Sequence, residues 1–163
     1  MTTDPLRITH VDALSDRPAL HIVFGDQLAR VVDLTDWITN TGALARLKDQ
    51  ALFSTARVGE HGTTVVWIDD ELELGADNLR NLSEEQAGGI GHERMVEWMH
   101  RVGLTQERAA ASIGISRRML NYYLSAEKPI PLTVWLACIG FEESQKKRRH
   151  TGNRSPVASR VAA

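Results

Sequence analysis

The sequence predicts an α+β chain in two parts: a small N-terminal antiparallel-sheet α+β domain followed by an all-α domain. Three observations predict it. Apolar residues alternate with period two through much of the first 85 residues, then recur at helical spacing from residue 92 onward. A glycine-punctuated segment, SEEQAGGIGH, separates the two patterns. Charge divides at the same place. Residues 1–85 hold 7 Lys/Arg and 15 Asp/Glu, a balance of −8; residues 86–163 hold 12 and 6, a balance of +6; the two sum to the net −2 of the 163-residue chain. The expected organisation is therefore an α+β domain over 1–85, a hinge over 86–92, a helical domain over 93–145 and a basic flexible tail over 146–163.

The elements follow in order. RITHVDAL reads as a strand. In PALHIVFG, Leu20, Ile22 and Phe24 point one way and His21 and Val23 the other. Gly25-Asp26 supplies a turn and QLARVVDL resumes the extended pattern, which makes a β-hairpin. TGALARLKD reads as a short helix. ARVGEHGTTVVWID reads as a second hairpin with turn residues Gly59, His61 and Gly62, and GADNLRNL returns to helix. After the hinge, HERMVEWMHRVG sets Met95, Met99 and Val102 on one face beside Trp98. PLTVWLACIGFEES reads as an apolar helix with Pro131 at its first turn.

Composition excludes several classes of protein. The longest near-apolar stretch, residues 131–141, is far below the ~20 residues of a membrane span. MTTDPLRITH lacks the basic leader and apolar run of a signal peptide. Cys138 is the single cysteine, so one chain cannot form a disulfide framework, and cytoplasmic residence is expected. The six histidines have no metal-ligand spacing; His92 and His100 can share a helix face but lack a third ligand. The acidic run Asp69, Asp70, Glu71, Glu73 reads as a solvated strand end and turn. No serine or cysteine sits in a nucleophile context. Trp67 and Trp37 read as core. No enzyme, cofactor or metal is expected.

The stretch from residue 104 to residue 124, LTQERAAASIGISRRMLNYYL, carries the chemistry. Thr105 caps one helix, with Glu107 well placed for its dipole. Gly114 provides a left-handed turn, and Ser116 caps a second helix whose inward face is Met119, Leu120 and Tyr123. Counting from Gln106, Ala110 is fifth, Gly114 ninth and Leu120 fifteenth: a small residue for close helix crossing, a glycine for the turn and an aliphatic side chain to pack the second helix back. Arg117 and Arg118 sit at a helix N-terminus, where cations are disfavoured by about 0.3–1 kcal/mol each. A bound polyanion would supply the missing counter-charge.

On these residues, segment 93–141 resembles the Cro and lambda-repressor-like (XRE-type) helix-turn-helix domain. The resemblance implies double-stranded DNA as partner, with Thr105 and Gln106 opening the first helix and Gln106 meeting a phosphate. Arg117 and Arg118 would reach base edges or flanking phosphates, and Asn121 and Tyr122 would face the groove; Ser116 and Lys128 complete the expected set. The sequence departs from the family pattern at Tyr123, usually aliphatic, and at Ser125-Ala126-Glu127-Lys128, usually an acidic-Asn-Gly turn.

Residues 6–82 are similar to a bacterial family known as domain of unknown function 2442. The likeness rests on Leu47, Asp49, Phe53, Val65-Val66-Trp67 and the Leu74…Leu79 closure. It implies a fold and a small protein partner, antitoxin-like, rather than a reaction. The expectation is a homodimeric transcriptional regulator reading the major groove with helix 117–125. The alternative is an interaction module that neutralises a cognate protein, with the helix-turn-helix as scaffold.

Overall fold

A computed structural model describes residues 3–68 and 70–152 of the chain. The chain is α+β, with two three-stranded antiparallel sheets ahead of a helical half. The first sheet contains β1 (Ile8–Ala13), β2 (Ala19–Phe24) and β3 (Ala29–Asp33) in that order. Its register pairs Leu20 with Val32 and Ile22 with Arg30, and β1 is irregular between Ile8 and His10. Leu20, Ile22 and Phe24 are fully buried, as the two-residue alternation requires. The turn between β2 and β3 places Gln27 at a positive φ.

Three short helical turns follow. They are α1 (Thr35–Asn40), a 3₁₀ turn over Gly42–Lys48 and α2 (Gln50–Phe53), whose amide at Ala51 donates to the Asp49 carboxylate at 3.0 Å. The sequence pattern indicates only the middle one, because four- and six-residue helices carry too little periodicity to register. The second sheet has β4 (Arg57–Val58), β5 (Thr64–Trp67) and β6 (Leu72–Gly75) in order. The hairpin expectation stopped at β5. β6 follows the acidic run, whose Asp70 and Glu71 form the exposed turn before it and whose Glu73 lies exposed in the strand, as the reading of a solvated strand end and turn expects. Leu72 and Leu74 flank Glu73, and Asp70 pairs with Arg57 at 3.0 Å and Glu71 with Arg46 at 3.1 Å. Asp69 lies outside the described residues. The β5–β6 turn holds Ile68 and Asp70 at positive φ, a conformation that aspartate tolerates but β-branched isoleucine rarely adopts.

Both sheets and α3 (Ala76–Gln86) enclose one core built around Phe24, Leu47, Phe53, Trp67 and Leu79. Trp67 is fully buried and its indole donates to the Phe53 carbonyl at 3.0 Å; Trp37 packs half-buried against the same cluster. Arg80 on α3 is 6% exposed. It donates to both oxygens of Asp26 at 3.0 and 2.9 Å and lies 4.9 Å above the Phe24 ring. Burial pushes the Asp26 carboxyl up, but the Arg80 bonds and charge and the Leu28 amide outweigh it and hold the group below the ordinary aspartate range. A depressed folded-state pKa contributes stability that is present at neutral pH and lost as pH falls through that folded value. Asp26→Asn should therefore cost roughly 1–3 kcal/mol at pH 7, less than a fully buried pair because the Asp26 side chain keeps 30% exposure. It should also flatten the acid limb of stability against pH, measured by urea unfolding from pH 7 to 3.

The segment after α3 is bridged by polar contacts. Gly89 N–H donates to the Glu84 carbonyl at 2.9 Å, Gly91 N–H to the Glu85 carboxylate at 3.0 Å and Glu93 N–H to Asn81 Oδ1 at 3.0 Å; Arg94 pairs with Glu85. The helical half comprises α4 (His92–Val102), α5 (Gln106–Ser112), α6 (Arg117–Leu124) and α7 (Leu132–Gly152). Its core is a second cluster of Met95, Trp98, Ala109, Ala110, Leu120, Tyr123, Ile130 and Cys138. Burial pushes the Cys138 thiol up to about 11, so it stays protonated and acts as a small apolar filler. α7 continues through Gly152 into the run expected as a flexible tail. Residues 142–149, EESQKKRR, are good helix formers, Lys146 pairs with Glu143 at 3.0 Å, and Arg149 and His150 suit the negative end of the helix dipole. The rest of the expected tail, 153–163, lies outside the described residues. No helix among the described residues is long and apolar enough to cross a membrane.

Candidate nucleic-acid interface

The α5–α6 pair is organised by local chemistry. Thr105 has extended backbone angles, and its hydroxyl accepts from Arg108 N–H at 3.3 Å. Ala109 and Ala110 are buried and small, which lets α6 approach closely. The chain reverses through Gly114 at φ 75°, where a Cβ would meet nothing within 4 Å; the requirement is conformational, not spatial. Ile115 N–H donates to the Ala110 carbonyl at 3.0 Å and closes the turn. The Ser116 hydroxyl then accepts from Met119 N–H at 3.1 Å and starts α6. Ser116→Ala should lower stability by about 1 kcal/mol, read as a shift of the urea midpoint with unchanged slope.

α6 has two faces. Leu120 and Tyr123 are buried inward, with Met119 and Leu124 partly so. Tyr123, where the helix-turn-helix pattern that the segment resembles has an aliphatic residue, serves as core. Outward, Arg118, Asn121, Tyr122 and Ser125 fall at i, i+3, i+4 and i+7, one stripe of a helix surface. Arg118 Nε–H donates to the Tyr122 hydroxyl at 2.7 Å, and its guanidinium lies 5.5 Å from that ring's centroid. The Lys128 ammonium lies 4.9 Å from the same centroid, and its amide donates to the Tyr122 carbonyl at 3.2 Å. The Ser125-to-Lys128 departure in sequence therefore carries a cation back to the α6 face. Arg118, Asn121 and Tyr122 line a shallow concavity with Leu124, Ser125 and Glu127.

The other expected residues stand as follows. Arg117 is exposed and pairs with Glu107 at 3.1 Å, so the unfavourable α6 terminus is partly offset by the acidic first turn of α5. Gln106 is half-buried, and its side chain makes no hydrogen bond among the described residues. Thr105 and Ser116 have hydroxyls engaged as caps. The pairing of Glu107 with Arg117 and the convergence of Arg118 and Lys128 on Tyr122 were missed. Arg118 and Tyr122, four apart on a helix, are the one sequence signal for the latter. His92 is buried and His100 exposed, and no group of three metal-capable side chains occurs among the described residues.

Fold and site together define a two-part α+β chain in which a capped helix pair presents a cationic face. A solved structure from Nitrosomonas europaea ATCC 19718, described as "Putative DNA Binding Protein NE0471", is similar to this chain at a TM-score of 0.78 and 37% sequence identity, covering 85% of this chain and 88% of that one. The chain belongs to the same family as that protein. It matches no protein-family model and no curated protein.

Proposed function

We propose that the protein is a sequence-specific DNA-binding transcriptional regulator. Its α5–α6 pair acts as a Cro/lambda-repressor-like helix-turn-helix that lays α6 in the major groove. The observation that carries this is the outward stripe of exposed Arg118 and Asn121 with half-buried Tyr122 on a helix with a capped, fixed N-terminus. Arg117 and Arg118 read base edges or flanking phosphates, Gln106 and Lys128 meet phosphates, and Thr105 and Ser116 hold the two helix starts toward the backbone. The description of the Nitrosomonas europaea relative as a DNA binding protein supports the same partner.

A homodimer fits this role. Leu132, Leu136 and Ile139 are 64%, 55% and 41% exposed at i, i+4 and i+7 along α7, an apolar stripe of the kind that a second copy covers. The sheet half, in the manner of domain of unknown function 2442, carries the −8 balance and suits a small basic protein partner, as in an autoregulating antitoxin. Selection of bound DNA from a random pool by the full chain tests the proposal. The expected result is one motif with dyad symmetry, half-sites about 34–36 Å apart, and a log affinity that falls with log salt by ~0.9 per phosphate contacted. Recovery of no motif removes the regulator reading.

A further inference from the structure

Three buried side-chain polar atoms among the described residues have no hydrogen-bond partner: Arg30 Nε, Arg80 Nε and His92 Nδ1. They come from β3, α3 and the start of α4, yet all three residues line one cleft of about 450 Å³ between the sheet half and the helical half. Arg80 and His92 are 6% and 7% exposed. Glu84 Oε1 stands 3.7 Å from Arg80 Nε, too long for a hydrogen bond. Buried polar atoms are almost always paired, so three orphans around one space mark a place where a ligand supplies the partners.

The charges select the ligand. Asp26 already takes two bonds from Arg80, and Glu84 lies beside the same guanidinium. Arg30 and Lys128 are the cations of the cleft that have no ion pair among the described residues; Glu127, the third carboxylate of its lining, has none either. Burial lowers the His92 pKa, so its imidazole is neutral near pH 7 and adds no positive charge. Leu28, Ile90, Pro129 and Ile130 give the cleft apolar walls. Two unpaired cations against one unpaired carboxylate, with spare donors beside an apolar wall, suit an anionic head on a short hydrophobic body.

We propose that the cleft binds a small organic carboxylate. The carboxylate lies between Arg30 and Lys128 and brings acceptors to the edge where the Arg30 and Arg80 N–H groups have none; the hydrocarbon part packs on Leu28, Ile90 and Ile130. Residues 126–130 form the far wall, and Lys128 there touches Tyr122, which in turn accepts from Arg118. An occupied cleft therefore competes for the Lys128 ammonium and changes the support of Arg118. This second step rests on the DNA-reading role proposed for α6; binding in the cleft does not.

Titration of the full chain with benzoate, followed by calorimetry and by the His92 imidazole resonances, tests the site, with acetate and sulfate as comparison probes. The expected result is saturable benzoate binding, weaker acetate binding and no competition by sulfate. Arg30→Gln should weaken benzoate by about tenfold or more, the loss of a charge-assisted bond, with an unchanged circular dichroism spectrum. Absence of saturable binding, equal binding by Arg30→Gln, or displacement by sulfate overturns the proposal. Ligand-free DNA binding by the same preparation reports separately on the α6 role.

Discussion

Replacing Arg117 and Arg118 together by alanine should abolish discrimination between a selected operator and random DNA while leaving the fold intact. An arginine bidentate to a guanine contributes about 1–3 kcal/mol of discrimination. Two of them give roughly 2–6 kcal/mol, at least about a thirtyfold drop in the operator-to-random ratio. Stability should move little, and in the opposite direction. Each cation at the α6 N-terminus is disfavoured by about 0.3–1 kcal/mol, and the exposed Arg117–Glu107 pair returns only about 0–1. The double variant should therefore melt at or slightly above the parent temperature. Competition binding at fixed salt and thermal denaturation on one preparation measure both signs. Tyr122→Phe removes the hydroxyl that accepts from Arg118 and should lower discrimination by a smaller step. An unchanged ratio in the double variant takes α6 out of DNA recognition.

The separation of effects reflects how the site is built. Its frame is local: Thr105, Gly114 and Ser116 each act within three or four residues of their own position, and such chemistry is visible in a sequence. The α5–α6 pair and its caps are legible for that reason, as are the alternating Leu20, Ile22 and Phe24 of β2. The β5–β6 turn is not, because Ile68 and Asp70 adopt positive φ without a glycine to announce it. α7 runs past residue 145, where a basic run alone suggests a solvated tail, and its Glu143–Lys146 pair lies within the helix. The inter-half cleft is invisible from sequence for a different reason. Arg80 meets Asp26 across 54 residues, and no local spacing encodes that distance. The charge asymmetry of −8 and +6 marks two halves but not the polar contacts of Asn81, Glu85 and Arg94 that join them.

Trp98→Ala should have the largest effect on stability, and it should fall on one half of the chain. Trp98 is fully buried, donates its indole N–H to the Cys138 carbonyl at 3.1 Å and meets Phe141 edge-on at 6.2 Å, so it ties α4 to α7. The other members of its cluster include two alanines and a cysteine, which offer little surface to compensate. A truncated core tryptophan costs about 3–5 kcal/mol, a large share of the 5–15 kcal/mol that holds a typical domain. The first core, around Phe24, Phe53 and Trp67, shares none of these residues. Amide exchange of Trp98→Ala should therefore show protection lost across α4–α7 and retained in β1–β3, and urea unfolding should become biphasic. Trp98→Phe should recover much of the loss, since it keeps an aromatic partner for Phe141 and forgoes only the indole bond. If exchange instead accelerates equally in β2 and α6, the two cores melt as one unit, and the contacts of Asn81, Glu85 and Arg94 transmit the loss between them.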